Sequence, residues 1–199
     1  MEDLESLNLR PDAGDDAWRT ALGGGPPGSG GKRWRLVFTS PKGATPSRPG
    51  AYFPVPAAQR WCAEDDEIEN GVYAWGMASL VLRGPFLMGP GPERVLRFDF
   101  TSVEVSVGPL RGTFPVAKGV ERMAEAAVLS RASGGAPPKA AASARRSLPF
   151  FKLLYVGKDV VAARGRSGGL AYWTRLRGDE GDAWQRSVGV AEGSASLLG

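Results

Sequence analysis

The chain contains no histidine and one cysteine, Cys62, and these two facts remove most familiar catalytic machinery. A Ser-His-Asp or Cys-His relay needs an imidazole to carry the proton. Histidine-held zinc, copper or non-haem iron needs the same ring as a ligand. A single thiol makes neither an intramolecular disulfide nor a thiolate metal cluster, and it fits a reducing compartment. Carboxylates, Lys, Tyr and Ser remain. The acidic run Glu64, Asp65, Asp66, Glu67 with Glu69 offers oxygen ligands to calcium. It lacks the spacing and central glycine of an EF-hand loop and reads as a solvated turn. Arg164-Gly165-Arg166-Ser167-Gly168-Gly169 has the glycines and cations of a phosphate loop. It lacks the GxxxxGK[ST] order, and strand rather than helix follows it, so it reads as a hairpin turn. Asp159 starts a strand after a glycine turn, five residues before Arg164. A carboxylate and a guanidinium at a barrel rim are either a structural pair or the anchor for a ligand's polar head.

The apolar side chains say more. Trp34, Leu36 and Phe38 alternate with polar residues, as do Leu96, Phe98 and Phe100, and then Val103, Val105 and Val107. Phe150 to Leu176 alternates, turns on Gly157-Lys158, alternates again and turns on Ser167-Gly168-Gly169. Such runs predict consecutive antiparallel strands with bulky residues on one face. Gln59 to Cys62 and Ile68 to Leu82 add further strands, with Gly71 and Gly76 as bends. The total is about eight or nine strands, enough for a barrel just wide enough to hold one small ligand. The expected fold is mainly β: an antiparallel β-barrel or sandwich with a short N-terminal helix and one helical, low-complexity insertion. Its cavity would be lined by Trp34, Leu36, Phe38, Trp75, Leu96, Phe98, Phe100, Tyr155 and Trp173, with Asp159 and Arg164 at the polar rim.

The remaining segments frame that barrel. Residues 2–22 read as one or two short amphipathic helices broken at Pro11, and 23–31 as a flexible Gly/Pro linker. Pro41 to Pro56 reads as a proline-rich loop, and Gly84 to Pro92 as a rigid loop presenting Phe86, Leu87 and Met88. Within the insertion, 117–147, Val120 to Ser130 has helical spacing of Val120, Met123, Ala124, Ala127 and Val128. Ser133 to Ser147 is low-complexity and expected to be mobile. The domain would span 2–177 and a tail 178–199.

Net charge is only +4 but uneven: 1–30 holds six acids against two bases, and 139–186 ten bases against four acids. The basic half carries no recognised nucleic-acid motif and reads as a solvated exterior, so no nucleic-acid partner is expected. No apolar run approaches the length of a membrane span. The acidic start MEDLESLNLR resembles neither a secretory signal nor a transit peptide.

Four segments together resemble the plastid lipid-associated protein family, also called fibrillins or plastoglobulins. Glu2 to Asn8 is similar to that family's short opening helix, and Arg33 to Ser40 to its first strand, with Trp34 in the characteristic position. Glu69-Asn70-Gly71-Val72 and Val95 to Leu110 resemble its central strands. Leu148 to Leu176 is similar to its closing segment, with Asp159, Arg164-Gly165 and Gly168-Gly169 in the family's order. The resemblance covers most of 2–177 and departs from the family in the length of the insertion and in the lack of a visible transit peptide. It implies a lipocalin-like barrel in chloroplasts, at plastoglobules, thylakoids or in the stroma. The implied activity is non-catalytic binding or carrying of prenylquinones, carotenoids or acyl lipids, with no cofactor. A second expectation is a peripheral coat or scaffold protein without an internal ligand, touching lipid through Phe86, Leu87 and Met88. An enzyme working through Tyr, Lys or a carboxylate has no positive support in the sequence.

Overall fold

The computed structural model describes residues 15–25, 28–43, 49–74, 76–88, 94–117, 148–177 and 184. A helix, α1 (Asp15–Gly23), precedes β1 (Lys32–Thr39), β2 (Ala51–Tyr52), β3 (Ala57–Cys62), β4 (Glu67–Ala74) and β5 (Ala78–Met88). Then come β6 (Val95–Phe98), β7 (Ser102–Val107), β8 (Leu110–Pro115), β9 (Phe150–Val156), β10 (Val160–Gly165) and β11 (Leu170–Arg175). Trp75, the first part of the expected opening helix, the helix expected at Val120 to Ser130 and the tail apart from Trp184 lie outside the described residues.

Eight strands close on themselves through antiparallel pairs, in the order β1, β11, β10, β9, β6, β5, β4, β3 and back to β1. The expected antiparallel barrel is therefore the fold. The closure depends on β5, whose two halves pair differently. Its first half lies between β4 and β7, and its last three residues, Phe86 to Met88, pair with β6. β6 and β7 form one long run interrupted at Asp99-Phe100-Thr101. Phe86 faces Phe98 while Arg83 faces Ser102, so three residues oppose two. That bulge bends the run: β6 stays in the barrel against β9, and β7 leaves it to pair with β8. Gly84 sits where the chains meet, since a Cβ there would strike the Asp99 carbonyl oxygen.

Helix α1 covers one end of the barrel. Its Trp18 and Leu22, one turn apart, join the central core. Lys32 donates its ammonium to the Thr20 and Ala21 carbonyls at 2.7 and 3.0 Å, capping the last turn. Arg19 bridges to Asp66 at 2.6 Å. At this end β1 starts and β3 stops. At the other end β1 stops, β4 turns into β5, and the β7–β8 hairpin projects.

Several expectations are corrected. Gly84 to Pro92 is not a projecting loop: through Met88 it is β5. Phe86 is 2% exposed in the core, Met88 packs on that core and Leu87 packs against Leu148. The flanking Gly-Pro pairs look like turn signals, but Pro85 falls at the bulge, where its missing N–H costs no ladder bond. The proline-rich stretch contains β2, which pairs with the end of β1. Phe38 does not share the inner face of Trp34 and Leu36. A register shift at Val37 turns it outward, where it meets Tyr172 and Tyr52 edge to face at 6.2 and 5.9 Å. Tyr155 is displaced in the same way by a shift in β9 between Leu153 and Tyr155, and its ring folds over Gly157.

Candidate functional site

The barrel interior is the candidate site, and its two halves differ. In the closed half, aromatic rings contact one another across the barrel. Trp34 meets Trp61 at 6.0 Å between centroids, Trp61 meets Trp173 at 5.8 Å, and Trp173 meets Phe151 at 5.4 Å. Phe151 then meets Phe98 at 5.0 Å, and Phe98 meets Phe100 at 5.4 Å. Each such ring buries about 150–250 Å² and gains roughly 0.5–1.5 kcal/mol from its pairing geometry. The Trp34 indole donates to the Leu22 carbonyl at 2.9 Å, which ties α1 to this layer. Trp34, Leu96, Phe98 and Trp173 thus form a solid floor, with Leu36 and Phe100 packed on its upper side.

Guanidinium groups stack on two of the buried tryptophans. Arg94 lies over the Trp18 ring at 4.1 Å and Arg175 over Trp34 at 5.3 Å. Burial, then Arg177, lowers the Arg175 pKa to about 10. Lys32 is lowered too, first by burial and then by Arg175 and Arg177.

The open half is lined differently. One row of cross-strand neighbours runs Leu82, Asn70, Gln59, Trp34, all on the inner face. Gln59 is 3% exposed, and its Oε1 is buried with no hydrogen-bond partner. A buried carboxamide oxygen without a partner costs about 1–3 kcal/mol. Leu36, Phe151 and Ala171 are half-buried against the core that includes Trp34, so among the described residues this wall offers carboxamides and hydrocarbon.

This apolar wall does not stop at the mouth. Beyond the bulge the same sheet face carries Val72, Leu80, Val105, Val107, Leu110 and Phe114, all exposed, with Met77 in the adjoining turn. Single exposed apolar residues are ordinary, but a contiguous set marks an interaction surface. The opposite face of this apron is charged. Arg60, Glu69, Arg83, Glu104 and Arg111 alternate in sign across β3, β4, β5, β7 and β8, linked at 3.4, 3.0, 3.1 and 3.5 Å. Glu67 closes a second contact with Arg60. Burial works against the Arg83 charge, but Glu69 and Glu104 hold its pKa above the ordinary value.

The polar rim expected from sequence is not assembled. Asp159 pairs with Arg177 at 2.6 Å at one end of β10, and Arg164 donates to the Gly168 carbonyl at 2.7 Å at the other. Five residues of strand separate them by about 16 Å. Sequence reasoning missed Gln59, although Gln59 and Trp61 share the alternation that marks an inward face. Trp61 and β8 were missed as well.

Among the described residues, no group of three His, Cys, Asp or Glu side chains is placed to hold a metal ion, and no helix is long and apolar enough to cross a membrane. No family model, curated protein or solved structure matches the chain.

Proposed function

We propose that this protein binds and carries a small hydrophobic molecule in the open half of its barrel, without transforming it. The observation that supports this most is the continuity of apolar surface from the inner wall at Leu36 and Leu82 onto the exposed face at Val72 and Leu80. A molecule entering there meets hydrocarbon on all sides and one unpartnered carboxamide, at Gln59. Of the ligands implied by the family resemblance, a prenylquinone in its reduced quinol form suits this wall best, because its hydroxyl donates to the unpartnered Gln59 Oε1. A carotene has nothing to offer Gln59, and an acyl carboxylate would lose its hydration without a counter-charge on the open-half wall. The proposed setting is the chloroplast, at plastoglobules, thylakoids or in the stroma.

The test is native mass spectrometry after incubation with a plastid lipid extract, alongside quenching of indole fluorescence by a short-chain prenylquinol. Retention of a neutral lipid with saturable quenching is expected. Empty protein and an unchanged emission spectrum would sink the reading. A peripheral lipid contact is the second reading, now favoured by exposed Met77 and Val107 at the tip of the apron rather than by Phe86, Leu87 and Met88.

A further inference from the structure

Closure leaves the barrel strands paired on both sides, whereas among the described residues β8 pairs only with β7 and ends the sheet. Its free edge has an unusual sequence. Val116 N–H donates to the Thr101 carbonyl at 2.8 Å, and the register from Ser102–Pro115 to Val107–Leu110 is unbroken. Bonded and non-bonded pairs alternate in an antiparallel ladder, so Leu110, Gly112 and Phe114 turn their N–H and C=O groups toward β7. Arg111 and Thr113 turn theirs outward. Pro115, the next outward position, has no N–H, and Pro109 flanks the other end. The segment Pro109-Leu110-Arg111-Gly112-Thr113-Phe114-Pro115 therefore mirrors itself in residue type about Gly112.

We propose that β8 pairs antiparallel with β8 of a second copy of this chain, about a two-fold axis at Gly112. Arg111 then exchanges both backbone bonds with Thr113 of the second copy, and the reverse. Leu110, 75% exposed, faces Phe114, 55% exposed, on both sides of the axis. The charge pattern agrees, because Arg111 is neutralised by Glu104 at 3.5 Å and meets a neutral threonine. The neighbouring registers are penalised. A shift one way sets Arg111 against Arg111, and a shift the other way sets it against Pro115, which has no N–H to give. Edge prolines and charges ordinarily prevent pairing; here they leave one register open. Pairing edge to edge keeps both apolar apron faces on the same side, joining them into one surface. The contact is small, which makes the dimer weak and concentration-dependent.

Sedimentation velocity over a concentration series tests the association. The wild-type chain should shift toward dimer, and Thr113→Pro should remain monomeric. Thr113 directs its N–H away from β7, so this variant should keep the wild-type circular dichroism and melting temperature. A wild-type chain that stays monomeric throughout, or a Thr113→Pro chain that associates like wild type, overturns the proposal. Oxidation of Gly112→Cys in a Cys62→Ser background tests the register. A directly opposed non-bonded pair brings the Cα atoms to about 4.5 Å, within disulfide reach. Rapid disulfide dimer formation is expected for Gly112→Cys and not for Val105→Cys, one strand further in. Equal cross-linking at both positions, or none at Gly112→Cys, excludes the register.

Discussion

Replacing Gln59 by methionine should make the ligand-free protein more stable. Methionine has the same unbranched length and keeps the space filled. It removes a carboxamide whose Oε1 is buried without a partner. Relief of that burial is worth about 1–3 kcal/mol. The shape change in a packed neighbourhood costs less than about 1.5 kcal/mol, so a net gain near 1 kcal/mol remains. For a chain of this size that raises Tm by roughly 2–4 °C. The same substitution should weaken a prenylquinol, whose hydroxyl donates to Oε1, by about 2–10-fold, the worth of one neutral hydrogen bond. A hydrocarbon analogue of the same shape should bind both proteins alike. Trp34 lies directly beside Gln59 across β1 and β3, so indole quenching reports both titrations. Loss of 1 kcal/mol or more in the ligand-free variant would show that Gln59 is a structural strut, and the argument for a polar anchor would fail with it. Equal quinol affinity in the two proteins would leave carriage of hydrophobic molecules standing but detach it from Gln59.

Other outcomes follow from single contacts. Tyr73 is 4% exposed beside Trp184, and burial, then Glu69, pushes its pKa up to about 12. Its folded-state pKa is raised, so its contribution is fully present below pH 10 and is lost as pH climbs from 10 toward 12. Urea unfolding should therefore weaken by roughly 2–3 kcal/mol over that window in wild type, and less in Tyr73→Phe; identical slopes would contradict the assignment. Gly84→Ala should cost about 1–3 kcal/mol through its clash with the Asp99 carbonyl, measured by chemical denaturation; a neutral result would mean the bulge yields freely. Trp34→Phe should lose about 1 kcal/mol for the bond to the Leu22 carbonyl, plus a cavity term, and raise amide exchange in α1 first. Uniform exchange along the chain would argue against α1 being tied at that point.

Strand alternation was the part of this fold legible in the sequence, because a two-residue period survives wherever the ladder is regular. Leu96 and Phe98 share the inner face as their spacing predicts, and Gly108-Pro109 and Ser167-Gly168-Gly169 turn where glycine and proline place them. Bulges are what alternation cannot reveal, since one extra residue reverses every side chain beyond it. The irregularities at Val37 and near Leu154 therefore moved Phe38 and Tyr155 off the expected lining while leaving Trp34, Leu36 and Trp173 inside. β8 was invisible for a different reason. Gly112 and two prolines in seven residues are poor strand composition, and only the pairing with β7 makes them one.

The bulge at Asp99-Phe100-Thr101 is where barrel and apron part, and it explains why one sheet face serves both. On the barrel side, inward residues of β6 such as Phe98 meet the rings of the floor. On the apron side, Val103, Val105 and Val107 carry the same apolar face past the point where the described residues supply an opposing wall. A chain selected only for a closed core would have placed polar residues there, as it did on the reverse side at Glu104 and Ser106. Instead the reverse side is fastened by alternating charges from Arg60 to Arg111, which holds five strands at a common tilt without using the apolar face. The carboxylates of Glu69 and Glu104 are largely buried, so each pair's attraction is offset by desolvation and its value here is in fixing geometry more than in net stability. Cutting the ladder with Glu104→Gln leaves Arg83 and Arg111 without a shared counter-charge and should lower Tm while loosening β7 and β8, seen as faster amide exchange at Val105 and Gly112. If exchange there is unaltered, the hairpin is held by its backbone ladder alone, and the charged face needs another explanation.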